Sequence, residues 1–216
     1  MIFRIFIQIP IYSLLIFYEA VYANELIDPP GWQLVKNKQD ITVYTKSVVG
    51  SNILKVKTQV VINTGIHQIQ KILDDVPHRK NWIPYLKSSA IAYAFSNTDK
   101  LEYSHFSAPW PASDRDFVYR LRLIYQDENR LVYHMKSENS ALLPVHDNII
   151  RAELIESMYT LTALTEQQTH VELIFHADPK GWLPVWIINI IQKTLPYMIL
   201  RNLRDQTLGE HSLLNN

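Results

Sequence analysis

Between residues 41 and 177 apolar and polar residues mostly alternate with a period of two, broken by one stretch whose period is three to four. Ile41-Thr42-Val43-Tyr44-Thr45 is β-branched and aromatic. From Leu54 to Ile62, Leu54, Val56, Thr58 and Val60 alternate with Lys55, Lys57, Gln59 and Val61. Both read as strands. The period then lengthens. Ile66, Ile69, Ile72 and Leu73 define one face of a helix that Thr64 can cap. Pro77 ends it, and a second short helical piece holds Trp82. Further strands are predicted near 87–95, 100–107, 115–125, 130–137, 149–156, 158–165 and 168–177, about nine in all. Their connections are short and polar, which demands antiparallel pairing, since a parallel crossover needs a dozen or more residues. Upstream, Asp28-Pro29-Pro30-Gly31-Trp32 reads as a turn leading into a short helix or cap.

The strands separate into two faces. Phe117, Tyr119, Leu121, Leu123 and Tyr125 share one face of their strand, against Arg120 and Arg122. Leu131, Tyr133 and Met135 oppose Arg130, Val132, His134 and Lys136. Val171, Leu173, Phe175 and Ala177 oppose His170, Glu172, Ile174 and His176. One face is wet and the other covered. After the turn Asp178–Pro184, with Pro184 suited to a first helical position, a helix is expected to run to about Leu208. Ile188, Ile191, Leu195 and Met198 form its stripe, yet Trp186, Ile187, Ile190 and Leu200 are apolar off that stripe. A helix apolar nearly all round is buried on more than one side or touches lipid. The pattern implies an α+β fold, a sheet curled around this helix. Such an interior is hard to fill completely, and a cavity can arise there.

At the N-terminus, Arg4 precedes an apolar run from Ile5 to Tyr18, and Val21-Tyr22-Ala23 offers small residues at a cleavage position. This is the layout of a secretory signal over 1–23, leaving 24–216 as one domain. The run is shorter than the roughly 20 residues of a spanning helix; an uncleaved anchor or a plain buried helix are the competing readings. Export implies a periplasmic protein in a Gram-negative source and a secretory or extracellular one otherwise. Lys+Arg and Asp+Glu are both 21, so there is no basic excess for nucleic acid. The chain has no cysteine, which removes disulfides, thiolate metal sites and cysteine nucleophiles. It has five glycines and no Gly-rich phosphate motif. No cofactor is expected.

Two stretches are distinctive in combination, Trp110-Pro111-Ala112-Ser113-Asp114-Arg115-Asp116-Phe117-Val118 and Asp178-Pro179-Lys180-Gly181-Trp182-Leu183-Pro184-Val185-Trp186-Ile187-Ile188-Asn189. With Trp32, Ile41-Thr42-Val43-Tyr44, Trp82 and Ile150-Arg151, their order and spacing over roughly 28–208 resemble the START family, the lipid-transfer domains related to the steroidogenic acute regulatory protein. The resemblance implies a helix-grip fold, an antiparallel sheet around a long C-terminal helix enclosing an apolar tunnel. It implies a monomeric lipid-binding or lipid-transfer protein that touches membranes transiently, without catalysis. The expected ligand-binding residues are Tyr119, Leu121, Leu123, Tyr133, Met135, Val171, Leu173, Phe175, Ile188, Ile191 and Leu195. The C-terminal helix and the 107–114 loop would form a lid, with Trp110, Pro111, Arg115, Trp182 and Trp186. Lys180 stands where a second glycine is common. Leu121 is apolar where some sterol-binding relatives carry a charge, which leaves phospholipid, fatty acid or another apolar ligand open.

Candidate chemistry is sparse. Ser113, Asp114, Arg115 and Asp116 read as a charged turn with Arg115 paired to a carboxylate, since no base for a serine nucleophile is evident. His170, Glu172 and His176 are too spread for one metal site. His105 is a candidate hydrogen bond to a ligand headgroup. Lys193, Arg201 and Arg204 can meet anionic headgroups or simply end a helix in solvent. Strand parity predicts few ionisable groups inside. A cluster of them would favour the alternative, a cyclase- or hydrolase-like enzyme acting on an apolar substrate in the same cavity.

Overall fold

The computed structural model describes residues 31–140 and 143–214. The chain divides into two compact units, Met1–Trp32 and Gln33–Asn216, and the architecture below is that of the second. The expected signal segment lies outside the described residues.

Ten strands form one sheet: β1 Gln33–Lys38, β2 Ile41–Lys46, β3 Lys55–Ile62, β4 Leu86–Ser96, β5 Asp99–Phe106, β6 Asp114–Gln126, β7 Arg130–Ser137, β8 Ile149–Arg151, β9 Glu153–Thr165 and β10 Gln168–Asp178. Their order is β1-β2-β3-β10-β9-β7-β6-β5-β4, with β8 beside β6. The expected α+β helix-grip architecture is present, with three corrections to its strands. β1 replaces the short helix or cap expected after Trp32; it returns to β2 through Gln39 and Asp40, both at positive φ, which is what a two-residue hairpin turn requires. The segment 149–165 divides at Ala152 rather than near 157, giving short β8 and long β9. β8 runs parallel to β6, Asp114 opposite Ile149; the residues between β7 and β8 supply the length such a crossover needs.

Helix α1, Ile66–Asp74, buries Ile66, Ile69, Ile72 and Leu73 as its spacing requires. Gly65, not Thr64, is its N-cap, and no side chain caps it. The Thr64 hydroxyl instead donates to the Asn63 carbonyl at 2.8 Å. Glycine is demanded at 65 by crowding, because a Cβ there would stand 2.7 Å from the Glu166 carbonyl oxygen. A 3₁₀ turn over Val76–Asn81 follows, with Trp82 as its C-cap.

The terminal helix is not continuous. It consists of α2, Val185–Asn189, a π-helical turn over Ile190–Thr194, and α3, Leu195–Leu214. Pro184 is the N-cap rather than the first helical residue. Pro196 explains the π turn: it has no N–H for the Gln192 carbonyl, and its ring crowds that carbonyl in α geometry. The extra residue per turn rotates the buried stripe. Ile187, Leu195, Tyr197, Ile199, Leu200 and Leu203 are the buried positions, whereas Ile188 and Met198 of the expected stripe are only half-buried. α3 packs on β2, β3 and β10. It is tied there by Tyr197 Oη donating to Gln39 Oε1 at 2.6 Å, and it is tied to the 3₁₀ turn by Asn202 Nδ2 donating to the Trp82 carbonyl at 2.8 Å.

Two glycines separate packing from propensity. Gly65→Ala is expected to destabilise the fold by about 1–3 kcal/mol through overpacking. Gly209→Ala, in α3 with open space around its Cβ position, is expected to stabilise it by roughly 0.5–1 kcal/mol. Urea denaturation of the two variants reads both signs.

Candidate functional site

A cavity of ≈190 Å³ lies between the concave face of the sheet and the terminal helix. Its walls are Phe117, Tyr119 and Leu121 of β6, Tyr133 and Met135 of β7, Leu154, Ser157 and Tyr159 of β9, and Leu173, Phe175 and Ala177 of β10. Ile187, Ile190, Ile191, Leu195 and Ile199 cover it from the helix side. The lining is overwhelmingly aliphatic and aromatic because each contributing strand turns its apolar parity inward.

Arg79 and Ser104 also line the cavity. Arg79 Nη1 donates to Glu102 Oε2 at 2.6 Å, and Nε and Nη2 donate to the Leu73 carbonyl at 2.9 and 2.6 Å. Glu102 is fully buried and Arg79 nearly so. Burial disfavours the Arg79 cation, but the Glu102 carboxylate more than offsets this and the net shift is upward. The Tyr119 and Ser104 hydroxyls lie 3.0 Å apart, and Arg79 Nη1 reaches Tyr119 Oη at 3.5 Å. Burial pushes the Tyr119 phenol up, and Glu102 adds to that. The expectation of few ionisable groups inside therefore meets a correction. Glu102 shares its strand face with Ser104 and Phe106, a parity that does not advertise an interior. Arg79 sits in Pro77-His78-Arg79-Lys80, which reads as solvated.

Arg115 lines the cavity further along. In the β5–β6 register Tyr119 faces Glu102 and Arg115 faces Phe106, so the backbone positions of Glu102 and of Arg115 are offset by about 13 Å along the strands. Among the described residues Arg115 is in no ion pair of the expected kind. Its guanidinium donates to backbone carbonyls: Ser113, Pro179 at 3.3 Å, and Lys180 and Trp182 at 3.2 Å each. The neighbouring aspartates are engaged elsewhere. Asp116 takes a bidentate pair from Arg151 at 2.7 and 3.0 Å. Asp114 Oδ2 accepts from Lys87 at 2.6 Å and His105 Nε2 at 2.9 Å, and its Oδ1 accepts from the Ala108 N–H at 3.0 Å. Burial opposes the Asp114 carboxylate, yet these bonds hold its pKa below the usual range. His105 is thus a brace for the 107–113 loop and does not line the cavity.

The turn hung on Arg115 is shaped by two left-handed residues, Lys180 at φ 50° and Gly181 at φ 63°. A Cβ on Gly181 would lie 2.8 Å from Ile150 Cδ1. Lys180 tolerates the conformation while bridging Glu153 at 2.8 Å and Asp178 at 2.7 Å. Around this turn Trp110, Trp182 and Trp186 are 89%, 70% and 48% exposed.

A profile of the START domain matches residues 18–212. The chain belongs to the START family. Among its relatives, an uncharacterised protein of Pseudomonas aeruginosa is 24% identical over 186 residues, spanning 86% of this chain and 90% of that one. The phosphatidylcholine transfer protein of Rattus norvegicus is 24% identical over 163 residues, spanning 73% and 75%. A STAR-related lipid transfer protein from Xanthomonas axonopodis superposes with a TM-score of 0.70 at 26% identity, covering 82% of this chain and 98% of that one. Human StAR-related lipid transfer protein 5 has the same fold, with a TM-score of 0.72 at 18% identity, covering 93% and 99%.

Of the residues expected to contact a ligand, Tyr119, Leu121, Tyr133, Met135, Leu173, Phe175, Ile191 and Leu195 line the cavity. Leu123, Val171 and Ile188 do not. Val171 is sealed in the core, in register with Val60 and Leu161. Leu123 packs against that core from its edge. Ile188 is displaced by the changed helical phase, and Ile187 and Ile190 take its place. Of the lid and loop set, Arg115 reaches the cavity, while Trp110, Pro111, Trp182 and Trp186 lie outside its lining. Tyr159, Trp82 and Arg79 were missed. Only Tyr159 carried a usable signal, its parity with Leu161 on a predicted strand. Elsewhere, Glu172 accepts from Gln59 at 2.7 Å, and His176 Nε2 is 3.5 Å from Ser51 Oγ. Arg204 donates to the Gln39 carbonyl at 2.8 Å, Arg201 donates to Asn202 Oδ1, and Lys193 is exposed.

The buried pair makes a directional prediction. Glu102→Ala strands the Arg79 cation and is expected to cost about 3–5 kcal/mol, whereas the double change Arg79→Met with Glu102→Leu is expected to cost clearly less, because no orphan charge remains. Equilibrium denaturation of the single and double variants distinguishes the two.

Proposed function

We propose that this START domain binds one lipid molecule in the cavity and carries it between membranes, with no covalent step. The observation that carries the reading is an apolar cavity whose helical cover is only partly buried, beside a rim of exposed tryptophans. Burying a methylene is worth about 0.8 kcal/mol, so a ~14-carbon chain gains on the order of 10 kcal/mol from an apolar enclosure. The cavity volume of ≈190 Å³ is below the roughly 300–1,000 Å³ of sites that enclose a drug-sized ligand. Entry of a lipid therefore requires the walls to part.

The segment suited to parting is 185–194. Trp186 is exposed and Ile188, Ile190 and Ile191 are half-buried, with Ile187 the buried contact of this stretch among the described side chains, whereas Leu200 and Leu203 are sealed. The Arg115-held turn and the 107–113 loop flank that segment. Trp110, Trp182 and Trp186 suit a membrane–water boundary, where indole rings are favoured, so contact with a bilayer would loosen the cover where the ligand must pass. The ligand class is a phospholipid, supported by the similarity to the phosphatidylcholine transfer protein and by charged and hydroxyl groups within an otherwise apolar wall. The N-terminal pattern supports export, and Glu102 is already engaged by Arg79, which favours binding over acid–base chemistry.

The test is purification without detergent, native mass spectrometry of the bound material, and transfer of fluorescent phospholipid between vesicles. A stoichiometric phospholipid and catalysed transfer are expected. Replacing Trp110, Trp182 and Trp186 with alanine is expected to slow transfer about tenfold or more while leaving the bound lipid in place. An empty protein that extracts no lipid from vesicles overturns the proposal.

A further inference from the structure

Most polar groups that face the cavity already have protein partners. Tyr119 pairs with Ser104, Arg79 with Glu102, and Tyr133 Oη donates to Asp74 Oδ1 at 3.1 Å. Ser107 donates to the Tyr85 carbonyl at 3.2 Å. Ser157 and Tyr159 differ. Both line the cavity and are 4% and 9% exposed. Among the described residues neither hydroxyl has a hydrogen-bond partner. They are not sealed orphans either: the buried side-chain atom closed off without a partner is Thr58 Oγ1, whereas these two open onto the cavity.

Their placement is specific. They stand two residues apart on β9 and point to the same face, with Cα atoms about 6.8 Å apart. Ser157 is in register with Met135 and Phe175, and Tyr159 with Tyr133 and Leu173. The pair is thus set among mostly apolar neighbours, with the Arg79 guanidinium close enough to Tyr159 to act on its phenol. Burial pushes the Tyr159 phenol up by more than the Arg79 cation lowers it, so the hydroxyl keeps its proton and is a donor. Unpaired hydroxyls in apolar surroundings are costly, and the cost is recovered when a ligand supplies acceptors.

We infer that Ser157 and Tyr159 determine specificity by donating hydrogen bonds to the two ester carbonyl oxygens of a diacyl glycerolipid. This rests on the lipid-binding reading above and narrows it. A hydrocarbon chain offers no acceptor, and a sterol with one hydroxyl or a fatty acid with one carboxylate offers a single polar point. A diacyl glycerolipid brings two neutral acceptors a few bonds apart, where its chains join its polar part. That is the arrangement two neutral donors, flanked by Met135 and Phe175 on one side and by Tyr133 and Leu173 on the other, can recognise.

The experiment compares diacyl phosphatidylcholine with its dialkyl ether analogue, identical in headgroup and chain length but lacking both carbonyls. Each is offered in vesicles to the wild-type chain and to Tyr159→Phe, Ser157→Ala and the double variant. The wild type is expected to favour the ester lipid about tenfold. Each single variant is expected to lose about threefold in ester binding with ether binding unchanged, and the double variant to show no preference. The ligand-free variants are expected to melt no lower than wild type, because no protein hydrogen bond is removed. Equal wild-type binding of the two lipids overturns the ester recognition and leaves the lipid-binding reading intact, as do variants that weaken both lipids alike. Binding of neither lipid by the wild type overturns the lipid-binding reading and this inference together.

Discussion

One helix has to cover the concave face of a ten-stranded sheet. Sheet faces this apolar need a packed layer, and the other helical pieces, α1 and the 3₁₀ turn, are too short to supply it. α3 seals the part of the face formed by β2, β3 and the first residues of β10, where Val43, Val56, Val171 and Leu203 exclude water. The strands beyond, β9, β7 and β6, are left to a shorter and more loosely held stretch of helix. The cavity is what remains between an apolar wall and an incomplete cover. Its location therefore follows from the mismatch in coverage rather than from any single residue.

The two arginines that border this space are held in opposite ways. Arg79 is neutralised by one fully buried carboxylate, a pairing in which losing either partner is far worse than never having had both. Among the described residues Arg115 donates to no carboxylate and spreads its charge over main-chain carbonyls from two loops. The first arrangement fixes the position of a polar group within the wall. The second ties together peptide segments that have no strand or helix hydrogen bonds of their own, which is the task for which a planar guanidinium with several fixed donors is suited. Aspartates 114 and 116 then hold the adjoining loops outside the cavity, so the charged run 113–116 works as scaffolding.

Much of this was legible from periodicity. The alternation through Tyr119, Leu121, Tyr133, Met135, Leu173 and Phe175 placed those side chains on the inner face, and the apolar surplus of residues 185–200 marked the helix that meets them. The misses have physical causes. Gln39-Asp40 lacks the glycine or asparagine that usually signals a tight hairpin, so β1 was invisible. β8 is three residues long, too short to show a period. Arg79 lies in a run of charges that reads as solvated, and only its long-range pairing with Glu102 brings it inside. A stripe of one phase from end to end does not fit this helix, because Pro196 and the π turn change the phase. Ser157 is a small polar residue on a long strand, and nothing local distinguishes a hydroxyl that meets a cavity from one that meets a carbonyl.

That proline has a further consequence. A continuous α-helix behaves as a cooperative rod, since each turn's hydrogen bonds support the next. Pro196 and the π turn ahead of it interrupt this ladder between the segment over the cavity and the segment that anchors the core. The two halves are mechanically in series but energetically partitioned. If residues 185–194 lift from the sheet, as the proposed entry of a lipid requires, the break in the ladder confines the disturbance ahead of Leu200 and Leu203, and local opening would then cost much less than global unfolding. Stability and accessibility, which compete in a helix of one piece, are here assigned to different turns of the same element.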